Sequence, residues 1–232
     1  MEKEFPTLTC LLCAVYIIAF LLVQARPDYA QVLGFKASSF KPYTLLTYMF
    51  IHTEISHLLF NIVMLISVGF ILERAIGAAP FLTIYLSSGF LSASFDCLGR
   101  ALLGIPVSSP LLGSSGGIFG LLTILALLRP FEKLPSFLIF TNLIPLLIPI
   151  SEFGPILANP ILFLLIFSLF LLLIFLVFVL KPFLPILYAF LFYFILWLIF
   201  LLIQPEKSIS YFGHAGGIFG GLFAFTLFNL IV

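Results

Sequence analysis

Two glycine-rich segments of the chain carry the residues best suited to nucleophilic chemistry. Ser115 directly precedes the sequence GGIFG at 116–120, and His214 lies two residues before a second GGIFG at 216–220. A serine hydroxyl becomes an effective nucleophile when a neighbouring base removes its proton, and neutral histidine is such a base near pH 7. Because glycine faces let two membrane helices approach closely, residues beside the two repeats can touch. The pattern predicts Ser115 as a nucleophile and His214 as its base.

The residues around Ser115 also predict a site that stabilises a negatively charged oxygen. Gly113-Ser114-Ser115-Gly116 opens an apolar helix, where backbone N–H groups lack acceptors within the helix and the helix dipole is positive. The backbone N–H of Ser115 is therefore expected to stabilise an oxyanion that forms during attack on a carbonyl group. The glycines expected to allow close packing at this site are Gly113, Gly116, Gly117, Gly120, Gly216, Gly217 and Gly220.

A further pair of polar residues lies closer to the N-terminus. His57 and Asn61 are four residues apart, so they share one face of a helix. Two donors that converge on one point suit the same oxyanion, and we predict this role for both side chains. A polar clamp between two helices is the alternative interpretation.

The segment 52–57, with sequence HTEISH, contains the residue types of a zinc-binding helix in the wrong spacing. Metalloprotease helices carry His-Glu-x-x-His, whereas here the histidines are five residues apart and the glutamate is displaced by one. The cysteines offer no second Cys-x-x-Cys pair that would complete a metal site. We therefore predict neither a metal nor a cofactor. The three cysteines are Cys10, Cys13 and Cys97.

The composition indicates an integral membrane protein. Hydrophobic residues make up 63% of the 232 residues and charged residues only 8%, and the mean hydropathy is +1.31. The ten basic and nine acidic residues nearly cancel, so no basic surface indicates a nucleic acid as partner. In every interpretation the protein is expected to contact the lipid bilayer. If the source is prokaryotic, the expected location is the cell membrane.

Apolar segments define the predicted spans. For Ser115 and His214 to meet, the starts of their helices must lie on the same side of the membrane, which requires an odd number of crossings between them. We therefore predict an all-α polytopic transmembrane helical bundle of about eight spans, forming one membrane domain over residues 1–232. The predicted spans are 8–23, 57–72, 79–96, 113–128, 134–150, 160–180, 183–203 and 213–232, and three prolines make 134–150 the weakest of them.

Taken together, three groups of residues resemble the rhomboid family of intramembrane serine proteases. They are Gly113-Ser114-Ser115-Gly116, the spacing of His52, His57 and Asn61, and His214 in a glycine-rich last span. The resemblance covers nearly the whole chain. It implies a six-span core with an insertion before the last span, a central serine-bearing helix, a Ser115–His214 dyad without a third acid, and transmembrane proteins as substrates.

Smaller features extend the resemblance or depart from it. Glu73-Arg74 followed by Gly77 is similar to the stretch that closes the family's second span, and His52 in this pattern is expected to be a structural histidine of the loop. Tyr43-Thr44 differs from the Trp-Arg pair that many members carry in the first loop. We expect that loop, residues 24–56, to lie at the membrane interface because charged and aromatic side chains alternate along it.

Two other functions compete with proteolysis. Non-catalytic relatives such as derlins bind membrane proteins but usually lack the serine or the histidine, and this chain has both. A transporter would also bury polar residues in broken helices, but no pair of inverted repeats is visible. The sequence therefore favours a protease over a scaffold that only binds membrane proteins.

The predicted span order can be tested by the accessibility of single cysteines in a variant without the three native cysteines. Residues beside Lys133 and Lys181 should react with a membrane-impermeant thiol reagent from one side, and residues beside Lys207 from the other. Labelling beside Lys133 and Lys207 from the same side would contradict the three predicted crossings between the serine helix and the last span.

Overall fold

The computed structural model of the protein describes residues 5–104, 110–135, 183–187, 190–191 and 211–231. Helices dominate these residues, and a small sheet of two strands accompanies them. The helices are α1 (Thr7–Ala25), α2 (Asp28–Leu33), α3 (Thr44–Thr47), α4 (Ile55–Ile76), α5 (Ala78–Leu103), α6 (Ser115–Leu128) and α7 (Tyr211–Ile231), with 3-10 turns at Ala37–Ser39 and Tyr48–Phe50, and the strands are β1 (Lys133–Pro135) and β2 (Phe183–Pro185).

Three of the described helices, α1, α4 and α5, are long and apolar enough to cross a membrane. They coincide with the predicted spans 8–23, 57–72 and 79–96. Helices α6 and α7 are apolar as well and lie at the predicted spans 113–128 and 213–232. The predicted span 160–180 and most of the spans 134–150 and 183–203 lie outside the described residues, so the count of eight remains a prediction.

Two short strands accompany the predicted helical bundle. β1 and β2 pair in antiparallel fashion, with Leu134 opposite Leu184. The residue before a proline is disfavoured in the helical region of backbone conformation, and each strand ends in a Leu-Pro pair. The predicted spans 134–150 and 183–203 therefore begin in extended backbone rather than in helix. The pairing also holds residues 133–135 and 183–185 side by side.

Helix α6 is the central helix of the described bundle. Its residues from Gly116 to Ala126 are all buried, which is expected for an apolar helix that is surrounded by other elements. Helix α5 packs against it in antiparallel orientation, since Ser92 lies next to Gly116 and Ser88 next to Gly120. This arrangement agrees with the central serine-bearing helix that the resemblance implies.

Helix α7 packs against α6 in parallel orientation through backbone contacts. Gly217 lies against the backbone of Gly116, and Gly221 against that of Gly120, where a Cβ on residue 221 would be 2.8 Å from the Gly120 Cα. The two GGIFG repeats are thus offset by one residue rather than in phase. Gly216 and Gly220 of the repeat instead contact α5, and Gly221, which the sequence analysis did not single out, contacts α6.

The loop between α1 and α4 is attached to the segment that leads into α6. Phe35 and Leu111 exchange two backbone hydrogen bonds of 3.1 and 2.8 Å, and the Gly113 N–H donates to the Tyr48 carbonyl at 2.9 Å. Within the loop, the Tyr43 hydroxyl donates to the Val32 carbonyl at 3.2 Å. Tyrosine at this position therefore anchors the loop by a hydrogen bond to the backbone. The attachment helps to fix where α6 begins.

Glu73 joins the C-terminal part of α4 to the N-terminus of α1. Its buried carboxylate accepts hydrogen bonds from the backbone N–H groups of Leu8 and Thr9, both at 2.8 Å, and from the Thr9 hydroxyl at 2.7 Å. A carboxylate at this position satisfies N–H groups that have no acceptor within α1 and interacts favourably with the positive end of the helix dipole. Glu73 therefore holds the two spans together at one end.

Substitution of Glu73 should destabilise the bundle. Glu73→Gln replaces one acceptor oxygen with an amide group that faces N–H donors, and we expect the free energy of unfolding to fall by about 1–3 kcal/mol. Thermal unfolding in detergent measures the change. Glu132→Gln is the matched control, because Glu132 is exposed and pairs with Arg129 at 3.4 Å. An equal loss of stability in the two variants would contradict the proposed role of the carboxylate.

Candidate active site

Ser115 and His214 meet at the adjoining starts of two parallel helices. Ser115 is the first residue of α6, and His214 lies in the first turn of α7. The Ser115 Oγ and the His214 Nε2 are 2.9 Å apart, which is a hydrogen-bonding distance. The glycine contacts between α6 and α7 place both residues at the same level of the bundle. The structure thus brings together the two residues that the sequence analysis paired.

The Phe119 side chain packs on the His214 imidazole. The two rings are stacked, with centroids 4.5 Å apart and an interplanar angle of 20°. Phe119 is four residues after Ser115 and so lies one helical turn further along the same face. The stack restricts the orientation of the imidazole beside Ser115. The sequence analysis did not single out Phe119, although its spacing from Ser115 was a usable signal.

Gly113 makes room for the His57 ring beside the start of α6. Its φ of +101° lies in the region that favours glycine, and a Cβ at this position would be 2.5 Å from the His57 Cε1 and 2.7 Å from its Nε2. The imidazole of His57 therefore lies against the residue that is two positions before Ser115. Any larger residue in place of Gly113 would displace either the ring or the loop.

His52 packs between aromatic and imidazole rings and is fully buried. Its centroid is 4.9 Å from that of His57 and 5.3 Å from that of Tyr16. Burial lowers the pKa of His52 to about 3, and the neighbouring His57 contributes to the shift. The ring is therefore neutral at physiological pH. The contact with His57 suits the structural role that was predicted for His52, which remains a prediction.

Asn61 links α4 to the residue that precedes Ser115. Its Nδ2 donates to the His57 carbonyl at 2.8 Å, and its Oδ1 accepts a hydrogen bond from the Ser114 hydroxyl at 3.1 Å. Both Asn61 and Ser114 are fully buried. The bond between the Asn61 side chain on α4 and Ser114 at the start of α6 has the geometry of a polar clamp.

Two tyrosines that the sequence analysis did not single out form a polar cluster with Asn61 and Ser114. The hydroxyls of Tyr16 on α1 and Tyr85 on α5 are 2.5 Å apart, and both hydroxyls interact with Ser114. Both side chains are fully buried. A tyrosine within an apolar span needs a partner for its hydroxyl, and this rule was the available signal. It did not identify the partner.

Comparison with known proteins identifies the family. A model of the rhomboid domain matches residues 39–159, which is just over half of the chain. The chain belongs to the rhomboid family. Family membership and the apolar helices together identify an integral, multi-pass membrane protein with a rhomboid helical bundle.

Two curated rhomboids are similar to this chain. The rhomboid protease GluP of Bacillus subtilis is 32% identical over 166 residues, which cover 66% of this chain and 31% of GluP. Mitochondrial rhomboid protein 1 of Saccharomyces cerevisiae is 33% identical over 88 residues, which cover 38% of this chain and 25% of the relative. The chain thus spans less than a third of the length of either relative.

The oxyanion and clamp interpretations of His57 and Asn61 predict different kinetics. If the side chains donate to an oxyanion, His57→Ala and Asn61→Ala should each lower kcat, on the order of 10²-fold, and change KM little. A clamp instead predicts a lower melting temperature and activity that returns well below it. Measuring kcat, KM and melting temperature for both variants separates the two, and an unchanged kcat in both would exclude the oxyanion role.

Proposed function

We propose that the protein is an intramembrane serine protease that uses Ser115 as nucleophile and His214 as general base. The observation that carries this proposal is the 2.9 Å contact between the Ser115 Oγ and the His214 Nε2. It occurs in a member of the rhomboid family, in which the similar GluP is a protease. A catalytically silent scaffold of the derlin type has no need for this contact.

The dyad can perform both halves of peptide hydrolysis. As the Ser115 Oγ attacks the scissile carbonyl carbon, the His214 Nε2 accepts the serine proton. Collapse of the tetrahedral intermediate breaks the C–N bond, and His214 returns the proton to the leaving amine. Water then gives a proton to His214 and attacks the acyl ester, which releases the acid and regenerates the Ser115 hydroxyl.

The stack on Phe119 supplies the orientation that a third acid supplies in a triad. Within the described residues no carboxylate forms a hydrogen bond to His214, while Phe119 covers one face of its ring at 4.5 Å. A restricted ring plane keeps the Nε2 directed at the Ser115 Oγ. The chemistry therefore requires only two ionisable or nucleophilic groups, as the resemblance implies.

We assign the stabilisation of the oxyanion to donors at the start of α6 and to two side chains of α4. The first N–H groups of α6 have no acceptor within the helix, and the helix dipole is positive there. His57 lies against Gly113, and Asn61 is bonded to Ser114, so both side chains are close to the nucleophile. We assign the backbone N–H of Ser115 as the primary donor and His57 and Asn61 as supporting donors.

The length of α6 supports a scissile bond at membrane depth. Its 14 residues span about 21 Å, whereas the hydrocarbon core of a bilayer is about 30 Å thick. Helix α6 is followed by the exposed Arg129 and Glu132, which suit one membrane surface. Ser115 at the other end then lies below the opposite surface. Transmembrane segments of other proteins are accordingly the proposed substrates.

Cleavage of a model transmembrane substrate by the purified protein tests this function. Ser115→Ala and His214→Ala should each abolish cleavage, and the double variant should be no worse than either, because nucleophile and base act as one unit. A fluorophosphonate should label Ser115. The matched control is Ser94→Ala, which removes an exposed hydroxyl from α5 and should leave cleavage unchanged.

Three outcomes would overturn the assignment. Full activity of His214→Ala would show that His214 is not the base. Labelling of Ser114 instead of Ser115 would show that Ser114 is the nucleophile. If the parent protein binds the substrate as strongly as Ser115→Ala does but does not cleave it, the protein is a scaffold.

A further inference from the structure

We infer that Ser114 is a positioning residue, whose hydroxyl, bonded to the Asn61 Oδ1, fixes the orientation of the Asn61 amide. The inference rests on the proposed function, because it assigns Ser114 an effect on the oxyanion donor rather than on the dyad itself. Ser114 is adjacent to the nucleophile in sequence, but its side chain contacts different residues from those that Ser115 contacts.

The hydroxyl of Ser114 does not make the bond that its position favours. Ser114 is the N-cap residue of α6, and serine at an N-cap ordinarily accepts a hydrogen bond from an N–H group of the first turn. Here no such side-chain bond is formed, and the hydroxyl donates to the Asn61 Oδ1 instead. The N–H groups at the start of α6 consequently remain free of the competing serine oxygen and can bind an oxyanion.

The two hydrogen bonds of Asn61 define one orientation of its amide. The Oδ1 accepts from Ser114, and the Nδ2 donates to the His57 carbonyl at 2.8 Å. In the reversed amide, the Oδ1 would face the carbonyl oxygen of His57, and both of these atoms are acceptors. The observed orientation leaves the second N–H of the Nδ2 as a donor. Loss of the Ser114 proton would remove one of the two bonds that hold it.

The tyrosine pair determines the direction in which Ser114 donates. A serine hydroxyl has one proton and two lone pairs. One of the two tyrosine protons is used in the bond between the tyrosines, so the Ser114 oxygen can accept from the other tyrosine while its own proton goes to Asn61. Hydrogen bonds in such a chain strengthen one another in a medium of low dielectric constant. This series of hydrogen-bonding side chains connects α1 and α5, through the start of α6, to α4.

A double-mutant cycle distinguishes positioning from a structural role. Ser114→Ala should lower kcat about 2- to 10-fold, as expected for one neutral hydrogen bond, and leave KM unchanged. In an Asn61→Ala background the same substitution should cause no further loss. Tyr16→Phe keeps the ring, removes only the hydroxyl, and should show a smaller loss with the same dependence on Asn61. Equal fold losses in the two backgrounds would overturn the inference.

The matched control is Ser67→Ala. Ser67 is a buried serine on α4 whose hydroxyl donates at 2.6 Å to Val63 within the same helix. This variant removes a buried hydroxyl from the helix that carries Asn61 without touching the polar cluster. Its kcat should equal that of the parent protein. A fall in kcat as large as that of Ser114→Ala would mean that the effect of Ser114→Ala comes from lost helix stability.

Nuclear magnetic resonance of the side-chain amides gives a readout that does not need turnover. The protein has four asparagines, Asn61, Asn142, Asn159 and Asn229, so ¹⁵N-asparagine labelling in detergent yields few signals, and the Asn61→Ala variant identifies the one from Asn61. This signal should shift in Ser114→Ala and stay unchanged in Ser67→Ala. An unchanged signal in Ser114→Ala overturns the positioning role even if the protein cleaves its substrate. A shifted signal without any cleavage supports that role while the proposed function fails.

Discussion

The close approach of the α6 and α7 backbones is the constraint on which the rest of the site depends. In a bilayer, apolar side chains gain little by leaving lipid for a neighbouring helix, so contact is driven by dense packing and by polar groups. Gly217 and Gly221 of α7 lie directly against the backbone of α6. A side chain at either position would separate the helices. Separation by even a fraction of an ångström would weaken the 2.9 Å contact between Ser115 and His214.

The second requirement is that polar groups buried at the junctions between helices find hydrogen-bond partners. Lipid offers no hydrogen bonds to satisfy such groups. Glu73 satisfies the free N–H groups of α1, and Tyr16 pairs with Tyr85. The same bonds join helices that are distant in sequence. Polar residues therefore supply much of the specificity of packing that apolar contacts alone lack in a membrane.

The start of α6 combines these two requirements in one place. Its glycines admit α7, and the Ser114 hydroxyl is bonded to Asn61 instead of capping the first N–H groups. Free donors at a buried helix start are costly in the resting protein. They become favourable when an anion forms beside them. Ser115, the proposed nucleophile, is the first residue of α6 and is therefore adjacent to these backbone donors.

The membrane class, the family and the pairing of Ser115 with His214 could all be predicted from the amino-acid sequence. These conclusions rest on residue type and local spacing, and the helical face shared by His57 and Asn61 follows from the same geometry. Which distant residues touch could be read only from the three-dimensional packing. The offset of the glycine repeats, the contact of Tyr16 with Tyr85 across 69 residues and the pairing of β1 with β2 depend on how the elements pack. Local spacing fixes the face on which a side chain lies but not the partner that this face meets, because the partner is selected by the packing of the whole bundle.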